Sequence, residues 1–146
     1  SADPVTNSGG NSTAGLWGDY DNDGELDLFV VNRFQNHFFY RGQSDGSFAA
    51  VDGSAVLEGG AEAYFASWVD YDNDGHLDLF VANLWTPSFL YRNNGDGTFT
   101  KNTTAAIANV SASSIATAWG DFNNDGLTDV WFANALYRND GGGVFT

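Results

Sequence analysis

A nine-residue pattern, Asp-x-(Asp/Asn)-x-Asp-Gly-x-x-Asp, occurs three times in this chain, at 19–27, 70–78 and 121–129, with a constant offset of 51 residues. In each copy, oxygen-bearing side chains at alternate positions lead into a glycine that permits a sharp turn. One short loop needs that arrangement to surround a hard cation. A cation loop that returns at a fixed period belongs to a repeating structural unit, so the fold has to be an array of such units.

The self-similarity extends beyond the loops. Trp17, Trp68 and Trp119 each stand two residues before a loop. Leu-Asp-Leu-Phe-Val follows in the first two copies, and the third reads Thr128-Asp129-Val130-Trp131-Phe132. Farther on come Phe39-Tyr40-Arg41, Leu90-Tyr91-Arg92 and Leu136-Tyr137-Arg138, each running into a Gly/Asp/Asn-rich turn and an aromatic at Phe48, Phe99 or Phe145. Turn signals separate four strand-like pieces per unit, at 61–69, 77–83, 89–93 and 98–101 in the second, and no segment has sustained helical periodicity. A period of roughly 50 residues with four short strands is the signature of a β-propeller blade. A lone blade cannot bury both faces of its sheet, so blades must stack. The expected fold is therefore all-β, a single propeller segment over 1–146 built from three four-stranded blades. The N-terminal connection and first blade take 1–57, the second blade 58–110 and the third 111–146.

The run Trp-Gly-Asp-Tyr-Asp-Asn-Asp-Gly-x-Leu-Asp-Leu-Phe-Val, with Leu-Tyr-Arg-Asn-Asn-Gly-Asp-Gly-Thr-Phe downstream, resembles the FG-GAP/VCBS repeat from about Ala14 to Thr146. That repeat builds the calcium-binding blades of integrin α-subunit propellers, of related bacterial surface proteins and of some fungal lectins. The resemblance implies that the metal loop joins the first and second strands on one rim. It also implies that the loops after the second and fourth strands line the opposite rim, where ligands bind.

Within the loops, the side-chain ligands expected are Asp19, Asp21, Asp23 and Asp27 in the first, Asp70, Asp72, Asp74 and Asp78 in the second, and Asp121, Asn123, Asp125 and Asp129 in the third. The carbonyls of Glu25, His76 and Leu127, with water, complete the three shells. Asn123 keeps an oxygen but loses a charge, which makes the third site the weakest expected. An EF-hand would need a carboxylate at loop position twelve, where this chain has Val30, Val81 or Phe132. Calcium is expected over magnesium, about three ions per chain, because the loops offer many protein oxygens and little room for retained water.

Eleven of the nineteen acidic residues occupy motif positions, and three divalent cations would bring the formal charge of −14 to −8. That charge argues against nucleic acid as a partner. Cysteine is absent, so no disulfide framework or thiolate metal site is expected. No apolar run approaches a membrane span, the polar start Ser1-Ala2-Asp3-Pro4 lacks signal-peptide character, and loops of this type suit the calcium outside cells. An extracellular or cell-surface setting without membrane insertion is the expectation.

His37 and His76 lack partners for general-base work, and neither a nucleophile elbow nor a phosphate loop is present, so no enzymatic activity is expected. The three tryptophans are expected in blade-to-blade packing rather than as sugar platforms. The repeats differ most in the loop after the second strand: Arg33-Phe34-Gln35-Asn36-His37, then Leu84-Trp85-Thr86-Pro87-Ser88, then only Asn134-Ala135. Arg33, Phe34, His37, Trp85 and Thr86 are the candidate ligand residues. The family resemblance points to a non-catalytic module that recognises a glycan or a protein surface, as in lectins and adhesion proteins. The alternatives are a structural or assembly domain of a larger secreted protein or enzyme, or an engineered propeller fragment without a ligand. Three blades leave two open faces, so a homodimer forming a six-bladed ring, or another homo-oligomer, is expected.

Overall fold

The computed structural model describes residues 4–7, 9–111, 113 and 116–146. They form three antiparallel sheets, each wound in simple strand order. The first contains β1 (Ser12–Gly18), β2 (Asp27–Asn32), β3 (Phe38–Gly42) and β4 (Phe48–Ala50). The second contains β5 (Ala63–Val69), β6 (Asp78–Asn83), β7 (Phe89–Asn93) and β8 (Phe99–Asn102). The third contains β9 (Thr117–Gly120), β10 (Asp129–Phe132) and β11 (Ala135–Tyr137). Short 3-10 turns at Ala55–Leu57 and Ala106–Asn109 lie between the sheets.

Register decides which side chains share a face. Leu16 pairs with Phe29 and Phe29 with Phe39, whereas Trp17 pairs with Leu28 and Leu28 with Tyr40. Each sheet thus presents two apolar faces of opposite content, and both need cover. One core cluster joins Tyr20, Phe29 and Phe39 of the first sheet to Leu79, Tyr91 and Phe99 of the second. The other joins Tyr71, Phe80 and Leu90 of the second to Val130, Phe132 and Phe145, with Trp119 packed against it. The sheets therefore stack as propeller blades, and the hydrophobic cores are the seams between them.

Two expectations are corrected here. The third sheet has three strands rather than four: after β11 the chain turns through Gly141 to Gly143, and an Asn139–Phe145 bridge, with paired backbone hydrogen bonds between Arg138 and Thr146 and one from the Asp140 amide to Val144, occupies the fourth place. Trp68 and Trp119 pack across seams as expected, but Trp17 is 56% exposed, because no blade precedes the first among the described residues. The short third-blade loop is a tight turn with Ala133 and Asn134 both at positive φ, the geometry that matches strand twist in a two-residue hairpin. No helix among the described residues is long and apolar enough to cross a membrane.

Candidate metal centre

The last aspartate of each loop is fully buried and joins three segments. Asp27 accepts from the Tyr20 and Gly42 amides at 3.0 and 2.9 Å, and Asp78 from the Tyr71 and Asn93 amides at 3.1 and 2.7 Å. Asp129 repeats this with Phe122 and Asn139. One carboxylate thereby fastens the loop entry, the start of the second strand and the end of the third. Burial pushes Asp27 up to about 6 and Asp78 up to about 7, against the pull of those amides.

The first aspartate shapes the turn. Asp19 accepts from the Asp23 and Gly24 amides, Asp70 from Asp74 and Gly75, and Asp121 from Asp125 and Gly126, all between 2.9 and 3.1 Å. The turn passes through Asn22, Asn73 and Asn124 in the left-handed region and then through the motif glycine, also at positive φ. Carboxylate oxygens of Asp19, Asp21 and Asp23 converge within 4.8 Å of one another, as do those of Asp70, Asp72 and Asp78. These are the two such groups among the described residues, so Asp27, Asp74 and the third loop's set lie outside the closest convergence.

Two arginines that sequence reasoning had not assigned complete these loops. Arg41 from β3 pairs with Asp21 and Asp23 at 2.7 Å each, and Arg92 from β7 with Asp72 and Asp74 at 2.5 and 2.6 Å. The backbone amide of Glu25, then Arg41, hold Asp23 below the usual carboxylate range. Each arginine occupies one oxygen of the third-position aspartate. The other oxygen, Asp21 Oδ1 or Asp72 Oδ1, is buried with no hydrogen-bond partner. A buried carboxylate oxygen without a donor is costly unless a cation faces it. Recurrence of the same orphan at the same repeat position makes these loops fit a divalent cation.

The third loop differs. Arg138 pairs with Asp140 rather than with the loop, and Asn123 turns its amide onto Asp125 at 2.8 Å. Neighbouring loops are also tied together across the seams: Asn22 donates to the Gly75 carbonyl at 3.2 Å and meets His76 Nδ1 at 3.1 Å, and Asn73 donates to the Gly126 carbonyl at 2.6 Å. His76 thus belongs to a contact between loops.

On the opposite rim, Phe34 and Trp85 occupy equivalent positions, both exposed (59% and 66%) and both at positive φ. Arg33 pairs with Glu62 at 2.6 Å and lies over the rings of Phe34 and Tyr64. Thr86 is exposed beside Trp85. His37 departs from the expectation of a ligand residue. It is 2% exposed and accepts from the Asn32 amide at 3.1 Å, as Ser88 does from Asn83, and burial lowers its pKa to about 4.

A family profile described as an FG-GAP-like repeat matches residues 19–81 and 70–132. No curated protein matches the chain.

Proposed function

This chain belongs to the FG-GAP-like repeat family, and on that premise we propose that it is a non-catalytic, extracellular calcium-binding propeller module whose rim opposite the metal loops recognises a glycan or a protein surface. The observation that carries the metal reading is the pair of orphaned oxygens, Asp21 Oδ1 and Asp72 Oδ1, buried in equivalent loops. Asp19, Asp21, Asp23 and Asp27 would hold one ion, Asp70, Asp72, Asp74 and Asp78 a second, and Asp121, Asn123, Asp125 and Asp129 a third, with the carbonyls of Glu25, His76 and Leu127 as further ligands. Calcium would supply charge neutralisation and a cross-link between the first two strands of each blade. Asp27 and Asp78, whose burial favours the protonated form, stay ionised at neutral pH when a cation faces them.

Recognition is supported by Phe34 and Trp85. A bulky residue in the left-handed region is strained, and such strain is retained where it holds a side chain in a working position. Two exposed aromatics on adjacent turns, with Arg33 and Thr86 beside them, suit stacking on a sugar ring or a peptide. A glycan array probed in calcium and again with chelator tests this. Calcium-dependent signal that is lost in Trp85→Ala supports recognition, whereas silence across glycans and protein ligands favours the reading as a structural domain.

A further inference from the structure

Both seams are built by one rule. At the first, Trp68 and its neighbour Phe99 (centroids 6.2 Å apart) enter a socket on the preceding blade: Trp68 lies 6.1 and 5.9 Å from Phe29 and Phe39, and Phe99 stacks on Tyr20 at 5.8 Å. The Trp68 indole lies so close over Gly18 that a Cβ there would meet it at 2.7 Å. At the second, Trp119 and Phe145 form the same pair, set against Phe80 and Tyr71.

Among the described residues, one such plug and one such socket are unused. Trp17 and Phe48 pair at 5.8 Å on the open face of the first blade. On the open face of the third, Gly120, Phe122, Trp131 and Leu136 stand where the first blade has Gly18, Tyr20, Phe29 and Phe39. They line a concavity of about 260 Å³. Phe122, Trp131 and Leu136 are exposed, while Tyr20, Phe29 and Phe39 are buried. A Cβ at Gly120 would meet nothing within 4 Å. The loop-to-loop bonds stop at the same two faces. Asn22 reaches Gly75 and Asn73 reaches Gly126, but the equivalent Asn124 amide and Gly24 carbonyl have no partner among the described residues.

We infer that a second copy of this chain closes the ring, with Trp17 and Phe48 of each copy seated in the Gly120, Phe122, Trp131 and Leu136 socket of the other, and Asn124 of each bonded to the partner's Gly24. The donor and acceptor, the plug and the socket, all run in one direction, from third blade to first. Two copies give six blades, within the usual four to eight, and a twofold axis makes both junctions identical. Three copies would give nine. The junction between copies lacks one bond found at the internal seams. Asn93 and Asn139 donate to the Tyr20 and Tyr71 carbonyls, but the equivalent residue of the first blade is Gly42, so the Phe122 carbonyl gains no donor. This junction is therefore the one that parts first on dilution.

Light scattering in calcium tests the assignment. The expected mass is twice the 15.7 kDa of one chain, falling by half in Trp17→Glu, which removes an exposed side chain, and in Gly120→Leu, which puts a side chain into the socket at a position where a Cβ meets nothing within 4 Å. Circular dichroism should be unchanged in both variants. Mixing the two leaves one intact junction per pair, and dimer mass should return. A wild-type monomer, an open-ended polymer, or a folded Trp17→Glu and Gly120→Leu pair that both stay dimeric would each overturn the assignment.

Discussion

Asn123 donates its amide to Asp125 Oδ2 at 2.8 Å, taking in the third loop the oxygen that Arg41 and Arg92 hold on Asp23 and Asp74 in the other two. One substitution thus does two things: it removes a negative charge from the ligand set, and it releases Arg138 to Asp140. Asn123→Asp should tighten calcium at the third loop by roughly tenfold, the order expected for one added carboxylate charge on a calcium loop. Asp72→Asn should loosen the second loop by a similar factor. Calorimetry on the wild type and the two single variants checks both, and unchanged affinities in both variants would contradict the charge argument.

The strained turns predict a trade between stability and recognition. Phe34→Gly and Trp85→Gly each remove a bulky side chain from a left-handed backbone, φ 57° and 61°. Each should raise unfolding free energy by about 1 kcal/mol, the low end of what such strain stores. The same variants should lose ligand binding. Denaturant unfolding with calcium present makes the comparison. A loss of stability in both would show that these aromatics pack rather than wait for a ligand.

His37 gives the pH dependence. Its folded pKa of about 4 lies below the ordinary histidine value of 6.5. Between those values the unfolded chain takes up a proton that the folded chain does not. Its contribution is thus complete above pH 6.5 and is lost as pH falls towards 4, reaching up to about 3 kcal/mol. His37→Ser copies the second blade, where Ser88 takes the same amide. The variant should fold and should lose less of its thermal midpoint than wild type as pH falls from about 6.5 to about 4. Parallel curves would contradict the assignment.

Much of this was legible in the sequence because a repeat states the same instruction several times. The strand from Phe89 to Asn93 and the metal loops could be placed by aligning three copies on their aspartates, and their fixed place before each loop assigned Trp68 and Trp119 to the seams. What escaped were relations between copies. Asn22 meets Gly75 at a separation of 53 residues, and neither residue looks unusual within its own loop. The recurring Tyr-Arg at the end of each third strand was visible, yet only the fold brings Arg41 and Arg92 back over the loop. His37 read as a rim residue because its loop is exposed, and its burial depends on the Asn32 amide beneath it. The third sheet falls short of four strands because only Thr146 follows Phe145, the residue that stands where β4 and β8 begin at Phe48 and Phe99; the turn before it carries the same backbone bond, Asp140 to Val144, as Gln43 to Ser47 and Asn94 to Thr98.

The most direct test of the account counts the metal. Native mass spectrometry of the chain after dialysis against calcium, paired with thermal unfolding in calcium and in chelator, should give three calcium ions per chain and a midpoint several degrees higher with calcium, since an ion bound only by the folded state stabilises it by mass action. Successive loss of single ions in Asp21→Ala and Asp72→Ala would tie two of them to the orphaned oxygens. A chain that retains no calcium and melts at the same temperature in both conditions would contradict the central claim.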